Sequence, residues 1–248
     1  MTSNTSLQKE AEMMELEKLI RAHEELEQVD LGIPDEEVLE RFGKIYTGAI
    51  SDVLREHVLL DQALPPELMP LRDGQKMVGF AFTVKSASNT RVTGELTYRT
   101  EMLDEMTPNS IVMWDTTGDM DSTAWGGVMT ANAVGRGVVG AVIDGGIRDI
   151  DQIREKAFPI FYRYRSPNGS LGRCLISHFQ TMIRIGRTEI RPGDIIVGDA
   201  DGVIVVPRKI AISVLERAEQ ILENEKQIFE WVEEGQTVQE ITAKGGYF

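Results

Sequence analysis

The chain has 248 residues, of which 42% are hydrophobic and 27% charged, a balance typical of a globular protein with one main core. Its net charge of −14 argues against a nucleic acid or an anionic membrane as partner, because both are bound mainly through lysine and arginine. Its single cysteine, Cys174, permits neither an intrachain disulfide nor a cysteine metal cluster, and no segment is apolar over the length of a membrane span. A cytoplasmic location is therefore expected.

The first elements in chain order are helical. Apolar residues recur at helical spacing among many charges over residues 7–28, which predicts an acidic amphipathic helix. Residues 32–35 interrupt that helix, and Pro34 is well placed to begin a second one that runs to Phe42. We therefore divide the chain into an N-terminal acidic helical extension, residues 1–33, and a main domain, residues 34–248.

Helices and strands alternate from there to residue 159. The patterns predict a helix over 47–57 with Thr47 as its cap, a strand over 76–85, a helix near 96–106 and a strand over 110–114. They next predict a helix over about 122–135, a strand over 138–144 and a helix that begins near Asp149. This alternation indicates an α/β fold.

Short apolar runs replace the helices after Pro159. Runs at 160–164, 181–185, 195–197 and 203–206 are separated by turn sequences at 192–194 and 199–202, a pattern typical of hairpins. A long helix over about 208–234, ended by Gly235, closes the chain. The whole predicts a β-rich layer wrapped by helices, with long helices at both ends.

The segment Val142-Ile-Asp-Gly-Gly-Ile-Arg-Asp149 is the sharpest local feature. Ligands of open α/β sheets bind at the carboxyl ends of strands, where helix N-termini attract anions and glycines let a ligand approach the backbone. Arg148 could hold a carboxylate through its two-pronged guanidinium, and Asp149 offers the hard oxygen that Mg²⁺ or Mn²⁺ prefers. A second interpretation makes Asp149 a helix N-cap and Arg148 a surface residue paired with Asp151 or Glu155.

Two further segments could contribute to a site. Asp115, Asp119 and Asp121 follow a predicted strand and could flank a metal, although such clusters are also typical of turns. The glycines of Trp125-Gly-Gly-Val-Met129 would expose backbone amides to a carboxylate, or would simply allow close packing. The dinucleotide-like pattern at 135–140 follows a predicted helix and precedes a strand, the reverse of the required order, so it predicts only a turn.

Together these motifs resemble the RraA-like family, which includes class II 4-hydroxy-4-methyl-2-oxoglutarate and 4-carboxy-4-hydroxy-2-oxoadipate aldolases and the regulator of ribonuclease E activity. The resemblance runs over residues 45–209 and is carried by residues 46–54, 79–84, 125–127, 136–137, 142–149, 192–194 and 199–207. It implies an α/β fold with a β/β/α sandwich core that assembles as a homotrimer or homohexamer, with sites at subunit interfaces.

The resemblance also implies roles for individual residues. Arg148 would hold the pyruvate part of a small 2-oxo acid, and Asp149 would coordinate Mg²⁺ or Mn²⁺. The backbone amides just after Gly127, those of Val128 and Met129, would receive the substrate carboxylate. The metal would stabilise the enolate left when a C–C bond breaks. The implied activity is that of a lyase, either retro-aldol cleavage that releases pyruvate or decarboxylation of an oxaloacetate-type acid.

The chain departs from the family pattern at the group that transfers protons. Active aldolases of the family carry an acid twenty-one residues before the arginine, where this chain has Gly127, and a second version carries one three residues after the aspartate, where this chain has Gln152. Asp119, Asp121 or an acid such as Glu225 from a neighbouring subunit could substitute, and we assign Asp121 as catalytic. The alternatives are a non-catalytic regulator that binds a ribonuclease or other protein, and a dehydratase or isomerase that uses the same enolate.

Overall fold

The computed structural model describes residue 16, residues 29–90, residue 93 and residues 95–246. The helix predicted over 7–28 lies outside the described residues, apart from Leu16. Arg208 Nε donates to the carbonyl oxygen of Val29 at 2.8 Å, and Leu31 is buried in the core. Val29 and Leu31 therefore already contact the main domain, and the division at residue 33 stays a prediction.

Helices and strands alternate along most of the described chain. The helices are α1 (Asp35–Phe42), α2 (Thr47–Glu56), α3 (Glu95–Asp104), α4 (Gly127–Gly135), α5 (Ile150–Glu155), α6 (Ala211–Glu233) and α7 (Val238–Ala243), with a 3-10 turn at Arg208–Ile210. The strands are β1 (Met69–Pro70), β2 (Met77–Ser88), β3 (Ser110–Asp115), β4 (Thr123–Trp125), β5 (Gly140–Ile147), β6 (Ile160–Arg165), β7 (Cys174–Phe179), β8 (Ile183–Ile185), β9 (Thr188–Ile190), β10 (Ile195–Asp199) and β11 (Gly202–Val206).

Nine of these strands form one sheet. Its main path is β1-β6-β5-β3-β2-β10-β11, with β4 beside β5 and β7 beside β2. The neighbours β2, β3, β5 and β6 run parallel, whereas β10 pairs antiparallel with both β2 and β11. The parallel strands therefore bring their carboxyl ends to one edge of the sheet, where the ligand sites of α/β proteins form.

The sheet is the middle one of three layers. Neighbouring residues of a strand face opposite sides. On β3, Val112 and Trp114 pack in the core beneath α3, α4 and α5, whereas Ile111 and Met113 pack against the separate β8–β9 hairpin. Helices α1, α2 and α6 cover β10 and β11 in a further apolar cluster. The mixed α/β class is confirmed, and the layers are those of the β/β/α sandwich.

Two predictions near helix starts are wrong. The helix predicted from residue 122 begins only at Gly127, because Thr123 and Trp125 pair with β5 as the short strand β4. The N-cap of α2 is Tyr46 rather than Thr47. The backbone N–H and Oγ1 of Thr47 instead donate to the Asp199 carboxylate, each over 2.8 Å. In both cases a contact with a distant part of the chain decides the local structure.

The second half of the chain matches its pattern only in part, because β6 pairs parallel with β5 instead of forming a hairpin, and β7 and β9 lie outside the predicted runs. The turn at 199–202 joins the β10–β11 hairpin as predicted, but the turn at 192–194 links β9 in the small hairpin to β10 in the main sheet. The long C-terminal helix is confirmed, and a capping box of Thr237 and Glu240 begins the unpredicted α7. Within the described residues, no helix has both the length and the apolar character to cross a membrane.

Candidate active site

The Arg148–Asp149 pair lies where β5 ends and α5 begins. Asp149 has left-handed backbone angles, φ 56° and ψ 43°, which cost about 1–2 kcal/mol for a residue other than glycine. Its side chain does not cap α5, but accepts a hydrogen bond from the backbone N–H of Gly127 in α4, 3.0 Å away. The strained turn therefore directs this carboxylate to a neighbouring helix.

Asp149 is the N-cap residue of α5, as the second interpretation has it, but its side chain makes no capping hydrogen bond and Arg148 is paired with Asp149 rather than with Asp151 or Glu155. Arg148 Nε lies 3.6 Å from Asp149 Oδ2, whereas Asp151 pairs with Arg154 at 3.8 Å. Within the described part of the chain, Asp149 Oδ1 accepts no hydrogen bond. Since 35% of the Asp149 side chain is exposed, the carboxylate is accessible to a ligand.

Gly126 and Gly127 allow two side chains to approach the start of α4. A Cβ at residue 126 would lie 2.6 Å from Asp149 Oδ2, and a Cβ at residue 127 would lie 1.9 Å from Gln152 Oε1. Both distances are far below van der Waals contact, so a side chain at either position would displace Asp149 or Gln152. The Gln152 carboxamide therefore occupies the space beside Asp149 that a side chain at residue 127 would need.

The first turn of α4 presents backbone amides beside this carboxylate. Gly126 is the N-cap and has no side chain with which to cap the helix, and the Gly127 amide is bound to Asp149. Amides in the first turn have no partner inside the helix, so those of Val128 and Met129 can receive an anion. Val128 is 80% exposed, which leaves this turn open to solvent. The glycines thus serve both close packing and amide exposure.

The guanidinium of Arg148 lies against the loop that follows β6. The Arg148 backbone N–H donates to the Trp125 carbonyl oxygen at 3.0 Å, which places this residue beside the end of β4. A Cβ at Gly169 would lie 3.1 Å from Arg148 Nη1, so the loop backbone passes close to the guanidinium. Arg148, Asp149 and Arg165 line a shallow depression of about 390 Å³. A small molecule can therefore reach the pair.

A larger cavity, of about 620 Å³, lies between α2 and the chain that leads into β1. Its lining is mostly apolar, includes Pro65, Pro66 and Pro70, and contains neither Arg148 nor Asp149. Size alone favours this cavity. We assign the active site to the smaller depression because the Asp149 carboxylate and the Arg148 guanidinium line it, and because Asp149 also contacts the first turn of α4.

The two glycines of β5 do not serve a ligand. Both are buried; a Cβ at Gly145 would lie 2.6 Å from the Thr116 side chain, and one at Gly146 would lie 2.6 Å from both the Ser122 carbonyl oxygen and the Tyr164 ring. The expectation that they let a ligand approach the backbone is wrong, because neighbouring protein atoms already fill the space above them.

Two of the three aspartates predicted near the site are held by other groups. Asp115 is buried and pairs with Lys85, whose Nζ lies 3.2 Å from Oδ2. Asp119 accepts hydrogen bonds from the Ser122 hydroxyl and the Asp121 backbone N–H. Burial raises the pKa of Asp119, but these hydrogen bonds outweigh burial and hold the pKa below its usual range. Asp119 is thus a turn residue that stays ionised.

Asp121 is linked to the loop that passes Arg148. Asn168 Nδ2 donates to the Asp121 carbonyl oxygen at 3.1 Å, and Thr123 Oγ1 donates to the Asn168 carbonyl oxygen at 2.6 Å. The Asp121 side chain is exposed. A catalytic role for Asp121 stays a prediction, since among the described residues no contact joins its side chain to Arg148 or Asp149.

One basic residue beside α4 carried no signal in the sequence. Arg99, on α3, donates to Ser170 Oγ at 2.8 Å and lies 3.7 Å from Met129 Sδ. Its contacts join residues 71 and 30 positions apart, which no local pattern records. The position of Gln152 above Gly127 is likewise visible only in three dimensions.

A family model places these residues in context. The RraA-like model, described as Aldolase/RraA, matches residues 47–205, which include the Arg148–Asp149 pair, Gln152 and the start of α4. The chain belongs to the RraA-like family. The resemblance drawn from the sequence motifs is therefore confirmed, and the family includes both aldolases and regulators.

Individual proteins of known sequence or structure are similar to this chain. A provisionally named 4-hydroxy-4-methyl-2-oxoglutarate aldolase of Halalkalibacterium halodurans is 34% identical over 182 residues, 73% of this chain and 82% of the relative. A crystal structure described as that of novel cellulases from microbes associated with the gut ecosystem is 55% identical, with a TM-score of 0.83 over 89% of this chain and 99% of that one. RraAS2 of Streptomyces coelicolor shares the fold, with a TM-score of 0.71 and 24% identity over 78% of this chain and 96% of RraAS2. It is described as an unusual member of the RNase ES inhibitor RraA protein family.

Proposed function

We propose that this RraA-like protein is a lyase that uses Mg²⁺ or Mn²⁺ to break a C–C bond of a small 2-oxo acid. The reaction is an oxaloacetate-type decarboxylation or a retro-aldol cleavage that releases pyruvate. The observation that carries the proposal is the meeting of the Asp149 carboxylate, the Arg148 guanidinium and the uncapped first turn of α4. These groups suit a divalent cation, a carboxylate and developing negative charge, respectively.

The residues present fit a Mg²⁺ or Mn²⁺ ion that takes most of its ligands from water and substrate. Asp149 Oδ1 is a hard oxygen that accepts no hydrogen bond in the described part of the chain. No three His, Cys, Asp or Glu side chains of the described residues are grouped for metal binding. Mg²⁺ usually keeps several waters and binds through one or two carboxylates, and Asp149 supplies one carboxylate. When bound, the cation would act as a Lewis acid for the 2-oxo oxygen.

Arg148 and α4 would hold the acid end of the substrate. A guanidinium donates two parallel hydrogen bonds to a carboxylate, and the amides of Val128 and Met129 stand at the positive end of the α4 dipole. The Gly127 amide is bound to Asp149, so Gly127 would serve the substrate through its missing side chain rather than its N–H. The substrate would thus lie between two sets of donors.

Gln152 beside Asp149 favours decarboxylation over aldol cleavage. Retro-aldol cleavage removes a proton from a substrate hydroxyl, and a carboxamide cannot act as that base at neutral pH. In decarboxylation the C–C bond breaks, CO₂ leaves, and the electron pair stays on the 2-oxo acid as an enolate. Protonation of the enolate carbon then gives pyruvate, and we propose Asp121 as the acid that delivers this proton.

Apolar residues around the site support an oligomer. Leu96, Met120, Val128 and Leu171 are each more than half exposed. Val128 belongs to the first turn of α4, and Met120 and Leu171 are neighbours in sequence of Asp121 and Ser170. A second copy of the chain would cover these side chains and complete the site. We therefore propose a homotrimer or homohexamer.

The carboxylates of the sheet give no support to glycoside hydrolysis. Asp115 and Asp144 are direct neighbours on β3 and β5, but they are only 5% and 8% exposed. Each is paired with a cation, Asp115 with Lys85 and Asp144 with Arg163. Glycosidases need two carboxylates that flank a sugar in an open cleft. This buried row has the character of a structural ion-pair network.

The direct test is an assay of the purified protein against a panel of 2-oxo acids with Mg²⁺, with Mn²⁺ and with chelator. Pyruvate and CO₂ release are followed, and cello-oligosaccharides serve as a further arm. We expect metal-dependent pyruvate release from oxaloacetate above the rate of the metal alone. Water loss or isomerisation without C–C cleavage would indicate a dehydratase or isomerase. Absence of turnover, with tight binding of a ribonuclease, would overturn the proposal in favour of a regulator.

A further inference from the structure

We propose that Arg99 is a specificity-determining residue that binds a second anionic group of the substrate. The site would then prefer 2-oxo acids with two carboxylates over those with one. This inference rests on the proposed function, because it concerns the same site. Arg99 lies on α3, outside the Arg148–Asp149 segment, and would determine which substrates bind.

Arg99 is held at the edge of the site by contacts on three sides. Its Nη2 donates to Ser170 Oγ at 2.8 Å, its Nη1 lies 3.7 Å from Met129 Sδ, and its Cζ lies 6.0 Å from the centre of the Trp114 ring. Contacts with several elements restrict the rotamers of a long side chain, so its charge has a defined position. Arg99 therefore brings a fixed cation next to α4.

Arg99 and Arg148 border the same two residues of one loop. Arg148 lies against Gly169, and Arg99 is bonded to Ser170, the next residue along the chain. The Cα atoms of consecutive residues are only about 3.8 Å apart. Two guanidinium groups are thus brought to one short stretch of backbone in a protein whose net charge is −14.

This placement gives a dianion two separate anchors. Arg148 and the Met129 amide are the proposed partners of the carboxylate next to the 2-oxo group, and the Met129 side chain contacts Arg99. A second carboxylate on the substrate would therefore extend toward Arg99 on the Met129 side of the site. A carboxylate that reaches Arg99 would accept charge-assisted hydrogen bonds from its guanidinium. A monocarboxylate could use only one of the two groups.

The experiment compares the binding of 2-oxoglutarate and pyruvate by calorimetry in Mg²⁺ at fixed ionic strength. In Arg99→Gln we expect at least about tenfold weaker binding of 2-oxoglutarate and less than a twofold change for pyruvate. Arg99→Lys, which keeps the charge, should fall between the wild type and Arg99→Gln. The matched control is Arg173→Gln, which removes an exposed charge from the same loop and should change neither ligand by more than twofold. Thermal melting checks that each variant is folded.

Three results would overturn the inference: equal weakening of both ligands in Arg99→Gln, the same selective loss in Arg173→Gln, or no preference for the dianion in the wild-type protein. Because the readout is binding, its outcome is separate from that of the lyase proposal. Selective loss in Arg99→Gln without any turnover would overturn the lyase and keep the anion site. Turnover without that selectivity would keep the lyase and overturn the anion site.

Discussion

Gln152 fills the space in which a side chain of residue 127 would stand, since a Cβ on Gly127 would lie 1.9 Å from Gln152 Oε1. These are the two positions at which active RraA-like aldolases are expected to carry an acid. The positions are 25 residues apart in sequence but converge on one volume beside Asp149. An acid can therefore stand at either position but not at both, and this chain has a neutral carboxamide in the shared volume.

The first prediction is that Gln152→Glu introduces aldolase activity. The substitution keeps the shape of the side chain and supplies a base beside Asp149, and general bases typically contribute 10²–10⁴-fold. We expect pyruvate release from 4-hydroxy-4-methyl-2-oxoglutarate to rise at least about tenfold. Gln227→Glu, at an exposed position on α6, adds the same charge elsewhere and should have no effect. An unchanged aldolase rate in Gln152→Glu would show that the shared volume is not where the acid works.

The second prediction concerns the fit between residues 127 and 152. Gly127→Ala should lower the melting temperature by about 2–4 °C, because the new Cβ pushes against Gln152, at about 1 kcal/mol. Gln152→Ala removes the carboxamide that the new Cβ would contact. Gly127→Ala should therefore lower the melting temperature markedly less in the Gln152→Ala background. The measurement is a double-mutant cycle by thermal melting. Purely additive effects would mean that the two side chains do not share one volume.

The third prediction separates the shape of Arg148 from its charge. Arg148→Lys keeps a cation but loses the two-pronged donor, so we expect kcat/KM to fall about 10²-fold. The melting temperature should stay within about 2 °C, because 47% of the side chain is exposed and it stabilises little. Arg154→Lys on α5 is the control and should leave kcat/KM unchanged. A wild-type rate in Arg148→Lys would reduce Arg148 to a source of positive charge.

The fourth prediction is a pH dependence that arises from Asp194. Burial raises the pKa of Asp194 to about 6, against backbone hydrogen bonds from Arg191 and Arg208 that lower it. The folded value lies above the unfolded value of about 3.9, so the folded protein binds more protons between the two. The stabilisation is therefore complete below about pH 4 and is lost as the pH rises through 6, a change on the order of 2–3 kcal/mol.

The measurement for Asp194 is the melting temperature of the wild-type protein minus that of Asp194→Asn across this pH range. The variant does not titrate, so the difference isolates one carboxyl group. It should fall by roughly 5–10 °C between pH 4.5 and pH 7. A difference that is constant, or that grows with pH, would show that the folded pKa of Asp194 is not raised.

Local patterns predict much of the fold because they record burial. The continuous apolar run of β3 and the periodic apolar face of α6 predict their elements within a few residues. The three residues of β4 were assigned to a helix, because a strand of that length has no period of its own and exists only through pairing with β5. Strand β1 is also too short to show a period, since its two residues are in a strand only because they pair with β6.

The site was predictable only in part. The residue types of Arg148 and Asp149 after a buried strand indicate an anion and metal site. No pattern shows that Asp149 accepts from Gly127, 22 residues away, or that Arg99 reaches Ser170, 71 residues away. These contacts depend on how β4, β5 and α3 pack against one another. The local spacing of residue types does not predict packing between segments that are distant in sequence.

The most direct test of the central claim is the rate of pyruvate formation from oxaloacetate as a function of Mn²⁺ concentration, for the wild-type protein and for Asp149→Asn. The asparagine keeps an oxygen for the Gly127 amide but loses the charge that would bind the cation. We expect the wild-type rate to rise and saturate with Mn²⁺, and the variant to be slower by at least about 10²-fold at every concentration. A rate of pyruvate formation that does not depend on Mn²⁺ concentration, or a variant as fast as the wild type, would contradict the assignment of Asp149 as the metal ligand of a lyase.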